Sequence, residues 1–305
     1  MAIADLVLPV FAVIVTGWVL GAIGYVPRAL AESLIAFAYR VAMPGLLFVT
    51  IAQEPAERLF AWRFLAAFGG GSLICFAAVF AAAFLAMGRA VGRSAMYGLA
   101  ASMTNTGFVA LPVLRAVYGA RAVLPAAIAT VFVAAVMFPL AVVLLEIDGA
   151  GQRRSALSVA RQILLDPIVL PTMLALCWAM LGIPLAPPVA AYMDIFADAL
   201  TPCALFAIGL ALSLEALRAN LAAAGVLSAI KLVLMPLLVL GLGRALGLDP
   251  LYLIAAVICA AVPTAKTAYI LAGAYHREEE MIAATVSMTT LLSVLSLVGW
   301  LYVVG

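Results

Sequence analysis

Two short polar stretches lie inside long apolar runs of this sequence, and the first could bind a small anion. It reads Thr104-Asn105-Thr106-Gly107 and is followed by Pro112. Hydroxyl and amide groups donate hydrogen bonds to carboxylate oxygens. Within a bilayer such groups are costly unless the helix is broken around a cavity lined by protein. We therefore expect a helix break near Asn105, helped by Gly107 and Pro112, with all four polar-stretch residues at a substrate site.

The second stretch contains Pro263, Thr264, Lys266 and Thr267, in a similar place in the second half of the chain. Pro263 has no N–H donor and disfavours helix at the preceding residue, so we expect a second break there. Two half-helices would then direct free N–H groups and partial positive charge at the bilayer midplane, where an anion could bind. In the alternative interpretation, these prolines and glycines only kink the helices.

Three basic residues fall inside apolar runs, where inserting a charge costs at least about 2.5 kcal/mol. Lys266 is the candidate that pairs with a substrate carboxylate. Lys231 is either a second cationic contact or a support for the second polar stretch. Arg40 either faces the substrate or forms an ion pair with Asp198, which lies 158 positions later.

The sequence predicts no cofactor and no metal site. Its four cysteines lie in separate apolar runs, and its one histidine, His276, lies in a charged loop. The spans around the two polar stretches carry no acidic residue away from their ends. The coupling ion, proton or sodium, therefore stays open. An intramembrane enzyme would need a nucleophile–base pair or clustered acidic residues, so we expect no enzymatic activity.

The amino-acid composition of the chain predicts the elements that position these residues. Of 305 residues, 68% are apolar and 10% are charged, against about 25% charged in an ordinary globular protein. This excludes a soluble enzyme and a nucleic-acid-binding module, and it predicts an all-α polytopic protein of the lipid bilayer. Ten apolar runs are long enough to be spans: 3–24, 30–53, 62–87, 94–117, 122–145, 163–182, 189–214, 221–246, 251–274 and 281–304.

The two halves of the chain correspond when the first is shifted by 158 positions. Pro9 then aligns with Pro167, Pro44 with Pro202, and Thr106 with Thr264. With five spans per half, the second half inserts upside down, which is typical of secondary transporters. We expect an inverted repeat at 1–146, a linker at 147–161 and a second repeat at 162–305.

Basic residues predict the orientation. Loops on the side of the termini carry 5 of them and loops on the other side carry 8, while 3 lie inside spans. The richer side is expected to be cytoplasmic. Both termini would then lie outside the cell and the central linker inside.

Four segments resemble motifs of the auxin efflux carrier family, in the family's order. They are Ala42-Met43-Pro44-Gly45-Leu46-Leu47-Phe48, Asn105-Thr106-Gly107 with Leu111-Pro112, Thr201-Pro202-Cys203-Ala204-Leu205-Phe206-Ala207-Ile208-Gly209, and Ala261-Val262-Pro263-Thr264-Ala265. The resemblance covers essentially the whole chain. The family includes bacterial malonate and malate carriers and plant auxin exporters. The long central hydrophilic loop of the plant members is absent, which favours a bacterial carrier of small carboxylates, located in the inner membrane.

The resemblance implies ten helices in two inverted repeats, with helices 4 and 9 broken and crossing at the substrate. It also implies a scaffold of helices 1, 2, 6 and 7, with Pro44 and Pro202 facing the site, and a mobile transport domain of helices 3–5 and 8–10. A homodimer is usual in the family. Lys266-Thr267 departs from the family pattern, in which an apolar residue followed by Asn is common.

Together these observations predict a secondary transporter of small organic anions, malonate-like mono- or dicarboxylates, that works by alternating access of the elevator type. The alternative is efflux of auxin-like aromatic carboxylic acids. An intramembrane enzyme is a distant third.

Overall fold

The computed structural model describes residues 3–55, 61–148, 157, 161, 164–212 and 220–305, with side chains from residue 8 onward. Within these residues every regular element is helical, and the extended backbone forms only an isolated bridge. The helices are α1 (Ile3–Ala22), α2 (Leu30–Ala52), α3 (Trp62–Ala86), α4 (Val91–Ser102), α5 (Thr106–Tyr118), α6 (Ala120–Ile147), α7 (Val169–Met180), α8 (Pro187–Leu210), α9 (Leu221–Ala245), α10 (Pro250–Ala261), α11 (Lys266–Tyr275) and α12 (Glu279–Val304).

Six helices of the described chain, α2, α3, α6, α8, α9 and α12, are long and apolar enough to cross a bilayer. They contain 23 to 28 residues, and a crossing needs about 20. The helices α4 and α5 follow each other across a short interruption, as do α10 and α11. The described chain is therefore all-helical and consistent with a polytopic membrane protein, whereas the count of ten spans and their inverted repeat stay predictions.

The helix α7 is shorter than the predicted span 163–182. It begins at Val169 because Asp166 accepts a hydrogen bond of 2.8 Å from the Ile168 N–H, in the manner of a capping side chain. It ends before Gly182, whose φ of +65° continues no right-handed helix. Its 12 residues span about 18 Å.

Wide π-turns interrupt five of the described helices. Proline explains four of them, because its ring clashes with the carbonyl four residues earlier and an extra residue in the turn makes room. The π-turns at Ala38–Ala42, Thr106–Ala110, Val133–Met137 and Ile230–Leu234 each precede a proline by two residues, namely Pro44, Pro112, Pro139 and Pro236. Pro112 is thus accommodated within α5.

Two glycines allow α1 and α8 to touch backbone to backbone. A Cβ built on Gly209 would lie 1.9 Å from the Ile14 carbonyl oxygen, and one on Gly17 would lie 2.3 Å from that of Phe206. Small residues at such a contact are the usual means by which membrane helices approach closely. The two helices therefore pack as one unit against which the site is built.

Candidate functional site

The site is organised by the two interruptions between helices. The helix α4 ends at Ser102 and α5 begins at Thr106, while α10 ends at Ala261 and α11 begins at Lys266. The two extended stretches pair antiparallel at Thr104 and Thr264. In the hydrocarbon region of a bilayer, backbone groups outside a helix need such protein partners unless they line a cavity.

Two hydrogen bonds hold this pairing. The Asn105 N–H donates to the Pro263 carbonyl and the Ala265 N–H donates to the Met103 carbonyl, each at 2.9 Å. The two bonds are related by symmetry, because replacing each residue of one bond by the residue 160 positions away gives the other bond. Thr264 therefore lies opposite Thr104, two positions from the partner that the 158-residue register assigns to it.

Thr264 is also fixed by side chains around it. Its hydroxyl donates to the Ala100 carbonyl at 2.7 Å, and its N–H donates to the Thr289 hydroxyl of α12 at 3.1 Å. Thr264 and Thr289 are both buried. The second extended stretch is thus bonded on both sides, to α4 and to α12.

A cavity of about 600 Å³ opens on one side of the paired stretches. Its wall comes from α2, α5, α6 and the segment before α7, and it contains five of the predicted site residues. These are Thr104, Asn105, Thr106, Gly107 and Thr267. The first-turn N–H groups of a helix have no intrahelical partner, so the N-terminus of α5 brings free donors to this wall.

The Thr104 side chain gives a second sign of a ligand in this cavity. It is 1% exposed, and its hydroxyl oxygen has no hydrogen-bond partner within the described chain. A buried hydroxyl without a partner costs about 1–3 kcal/mol. Thr104 lines the cavity beside a helix N-terminus, so a polar ligand bound there could give this hydroxyl a partner.

A second cavity of about 450 Å³ lies on the other side of the paired stretches, towards α8, α11 and α12. Thr264 and Lys266 line this cavity rather than the first, whereas Asn105 lines both. Arg28 and Glu32 line it as well. Lys266 has no carboxylate within ion-pair distance among the described residues.

The structure separates the other candidates from these cavities. Arg40 is exposed on α2 and lines neither cavity, and neither do Pro44 and Pro202. The hypothesis of an Arg40–Asp198 ion pair is wrong, because Asp198 pairs with Arg115 of α5 at 2.7 Å. Arg115 reaches α8 from the neighbouring helix and also donates to the Ala197 carbonyl.

Lys231 also lines neither cavity. It is fully buried and donates to the carbonyl oxygens of Ala260 and Val262, where α10 ends. Of the two roles considered for it, these contacts fit the support of the second extended stretch.

Several cavity residues were missed by the sequence reasoning. Arg161, Asp166 and Tyr39 line the first cavity, and the Tyr39 hydroxyl donates to the Asp166 carboxylate at 2.6 Å. Arg161 was counted only as a basic residue of the linker. The one signal available was the closeness of Arg161 and Asp166 to Pro167, where an apolar run begins.

Comparison with known proteins is consistent with this geometry. A family described as membrane transport protein matches residues 2–301. The chain belongs to this family. The resemblance to auxin efflux carriers that the four sequence motifs carry is thereby confirmed.

Relatives of this transporter cover almost its whole length. A protein of Rhizobium meliloti (strain 1021) named "Putative malonate transporter" is 31% identical over 306 residues, which cover 99% of this chain and 96% of the relative. "Uncharacterized transporter YfdV" of Escherichia coli (strain K12) is 26% identical over 306 residues, 99% of this chain and 97% of the relative. These names and the family description denote transporters, not enzymes.

Proposed function

We propose that this membrane transport protein is a secondary carrier of small organic anions, malonate-like mono- or dicarboxylates. The observation that carries the proposal is Thr104, which lines the cavity beside the N-terminus of α5 and whose buried hydroxyl has no partner in the described chain. A carboxylate there would accept hydrogen bonds from the hydroxyl and from free first-turn N–H groups. The name of the Rhizobium relative supports malonate as the first substrate to test.

The distribution of charge supports an anionic substrate, because the charged residues on the two cavity walls leave one net positive charge: Arg28, Arg161 and Lys266 against Glu32 and Asp166. Asn105 lies on the wall shared by both cavities, so an anion bound there lies between Arg161 on one side and Lys266 on the other. Lys266 is the first residue of α11 and adds its charge to the positive end of that helix. A dicarboxylate, with two negative groups, would use both walls.

For the transport cycle we propose alternating access of the elevator type, with α1, α2, α7 and α8 as scaffold. The Arg115–Asp198 pair then links the moving half-helix α5 to the scaffold helix α8. Both cavities reach the end of the bundle where α8 ends and α7 begins, since Leu212 lines one and Ile168 the other. If the central linker is cytoplasmic, as the basic residues predict, this end faces inward.

We also propose that the protein is a homodimer through its scaffold. Arg40 on α2 and Asp194 on α8 are exposed two turns or more from the ends of long apolar helices. An uncovered charge at that depth is costly in lipid. A second copy, with Arg40 of one protomer near Asp194 of its partner, would cover both.

Aromatic carboxylic acids are the second candidate substrates, and the size of the first cavity favours them. About 600 Å³ is far more than a three-carbon dicarboxylate fills, and Tyr39 and Phe108 place their rings 6.1 Å apart on its wall. These rings could contact an aromatic ligand. Competition between malonate and indole acetate for binding separates the two candidates.

The experiment is a thermal-shift screen of the purified protein against mono-, di- and aromatic carboxylates. We expect malonate to raise the melting midpoint, and Lys266→Ala to weaken this response. The control is Arg244→Ala, which removes an exposed positive charge outside both cavities. An equal response of Lys266→Ala and the wild type would overturn the role of Lys266, and a screen without any carboxylate hit would overturn the substrate class.

A further inference from the structure

Lys231 is a buried charge that the proposed carrier mechanism does not use. It lies in α9, about 15 Å along the helix axis from the first residue, and its exposure is 0%. Within the described part of the chain no carboxylate lies in ion-pair distance of its ammonium. A charge at this depth needs compensation from elsewhere.

The compensation comes from the end of a half-helix. The Lys231 Nζ donates to the Val262 carbonyl oxygen at 2.7 Å and to that of Ala260. The helix α10 ends at Ala261, so these oxygens belong to its C-terminus. There the last carbonyls have no intrahelical partner, and the helix carries partial negative charge.

The position of the ammonium is fixed by its own helix. Lys231 lies within the π-turn Ile230–Leu234, and Pro236, which has no N–H, leaves the Leu232 carbonyl without its usual helical donor. Trp300 and Ser296 of α12 donate to this carbonyl at 2.8 and 3.0 Å. The turn that presents Lys231 to α10 is therefore held by α12.

In transporters with broken helices, unwound carbonyls and half-helix C-termini are the groups that coordinate sodium ions or protons. We infer that the Lys231 ammonium occupies the position at the C-terminus of α10 where an inorganic coupling cation such as sodium would otherwise bind. The extended stretch 262–265 is then assembled without sodium. Removal of the charge should leave carbonyl oxygens that bind sodium, with water as the remaining ligands.

The test compares melting midpoints of the full-length protein in sodium chloride and in choline chloride at equal ionic strength, without any carboxylate. Its result does not depend on the substrate, so a failed malonate assay leaves it intact. We expect the wild type to melt at the same temperature in both salts. Lys231→Ala should melt lower in choline, and sodium should raise its midpoint by about 3 °C or more in a saturable manner.

Arg244→Ala is the matched control, because it removes one positive charge from an exposed position of the same helix. It should respond to neither salt. Lys231→Gln keeps an uncharged amide NH2 as donor towards the carbonyls and is the second variant if Lys231→Ala does not fold; it should show a smaller sodium response.

Two results would overturn the inference. One is a wild-type protein that sodium stabilises over choline, since its cation site would then be open. The other is a folded Lys231→Ala or Lys231→Gln protein with no more sodium response than Arg244→Ala.

Discussion

Replacement of Thr104 by valine should stabilise the empty protein and weaken its ligand binding. Valine keeps the β-branched shape, so it fits the extended backbone of the Thr104–Thr264 bridge and exchanges only a hydroxyl for a methyl group. The hydroxyl is buried and has no partner within the described chain. Its removal should raise the free energy of unfolding by about 1 kcal/mol, which is about 2 °C in the melting midpoint.

The same hydroxyl should contribute to binding of a carboxylate. A hydrogen bond to a charged group contributes about 1.5–3 kcal/mol, so Thr104→Val should lower the affinity by about 10- to 150-fold. Melting curves with and without malonate measure both effects on one sample. A higher melting midpoint of the empty protein together with weaker malonate binding is the result expected for a hydroxyl that has no partner until a ligand binds.

Ser228→Ala is the control for this experiment. Ser228 also carries a buried hydroxyl without a partner, but it lines a groove between α9 and α12 instead of the first cavity. Removal of the Ser228 hydroxyl should not lower the melting midpoint and should leave malonate binding unchanged. A lower midpoint of Thr104→Val together with unchanged binding would refute the reasoning, because the hydroxyl would then serve the structure.

Three further substitutions test the packing and the site. Gly209→Ala should lower the melting midpoint by at least about 4 °C, since its Cβ meets the Ile14 backbone, whereas Gly273→Ala points into open space and should not. Arg115→Gln leaves the Asp198 carboxylate without its partner inside a membrane helix and should cost up to about 2.5 kcal/mol, and adding Asp198→Asn should recover part of this cost, as a double-mutant cycle can show. Gly107→Ala places a Cβ 2.8 Å from the flexible end of Met43, so melting should change little and ligand binding should weaken.

The helical membrane fold was predictable because apolar runs and punctuation by charge, glycine and proline dominate this sequence. The polar stretches around Asn105 and Pro263 also marked where the helices are interrupted, because polar backbone at bilayer depth needs protein partners. The apolar runs did not determine the features of single helices that depend on local hydrogen bonds. The capping of α7 by Asp166 and the π-turns before the prolines are examples.

The candidate site was predictable in its residue types but not in its division into two cavities. Thr264 and Lys266 precede Thr267 by one to three positions, yet they line the opposite cavity, because the paired stretches form the wall between them. The partner of Asp198 was not predicted because repeat symmetry suggested Arg40. Arg115 is far from Asp198 in the sequence, and only the folded structure brings the two side chains together. For Lys231 the sequence offered support of the second polar stretch as one of two roles, but it did not indicate which carbonyl oxygens of α10 the ammonium meets.

The central claim, that the protein carries small carboxylates through the site around Asn105, is tested most directly by counterflow. Proteoliposomes loaded with unlabelled malonate are diluted into a trace of labelled malonate, with and without sodium. We predict transient accumulation of label that sodium does not change, that excess indole acetate does not abolish, and that Thr104→Val reduces. Absence of accumulation in liposomes that contain folded wild-type protein would contradict the claim.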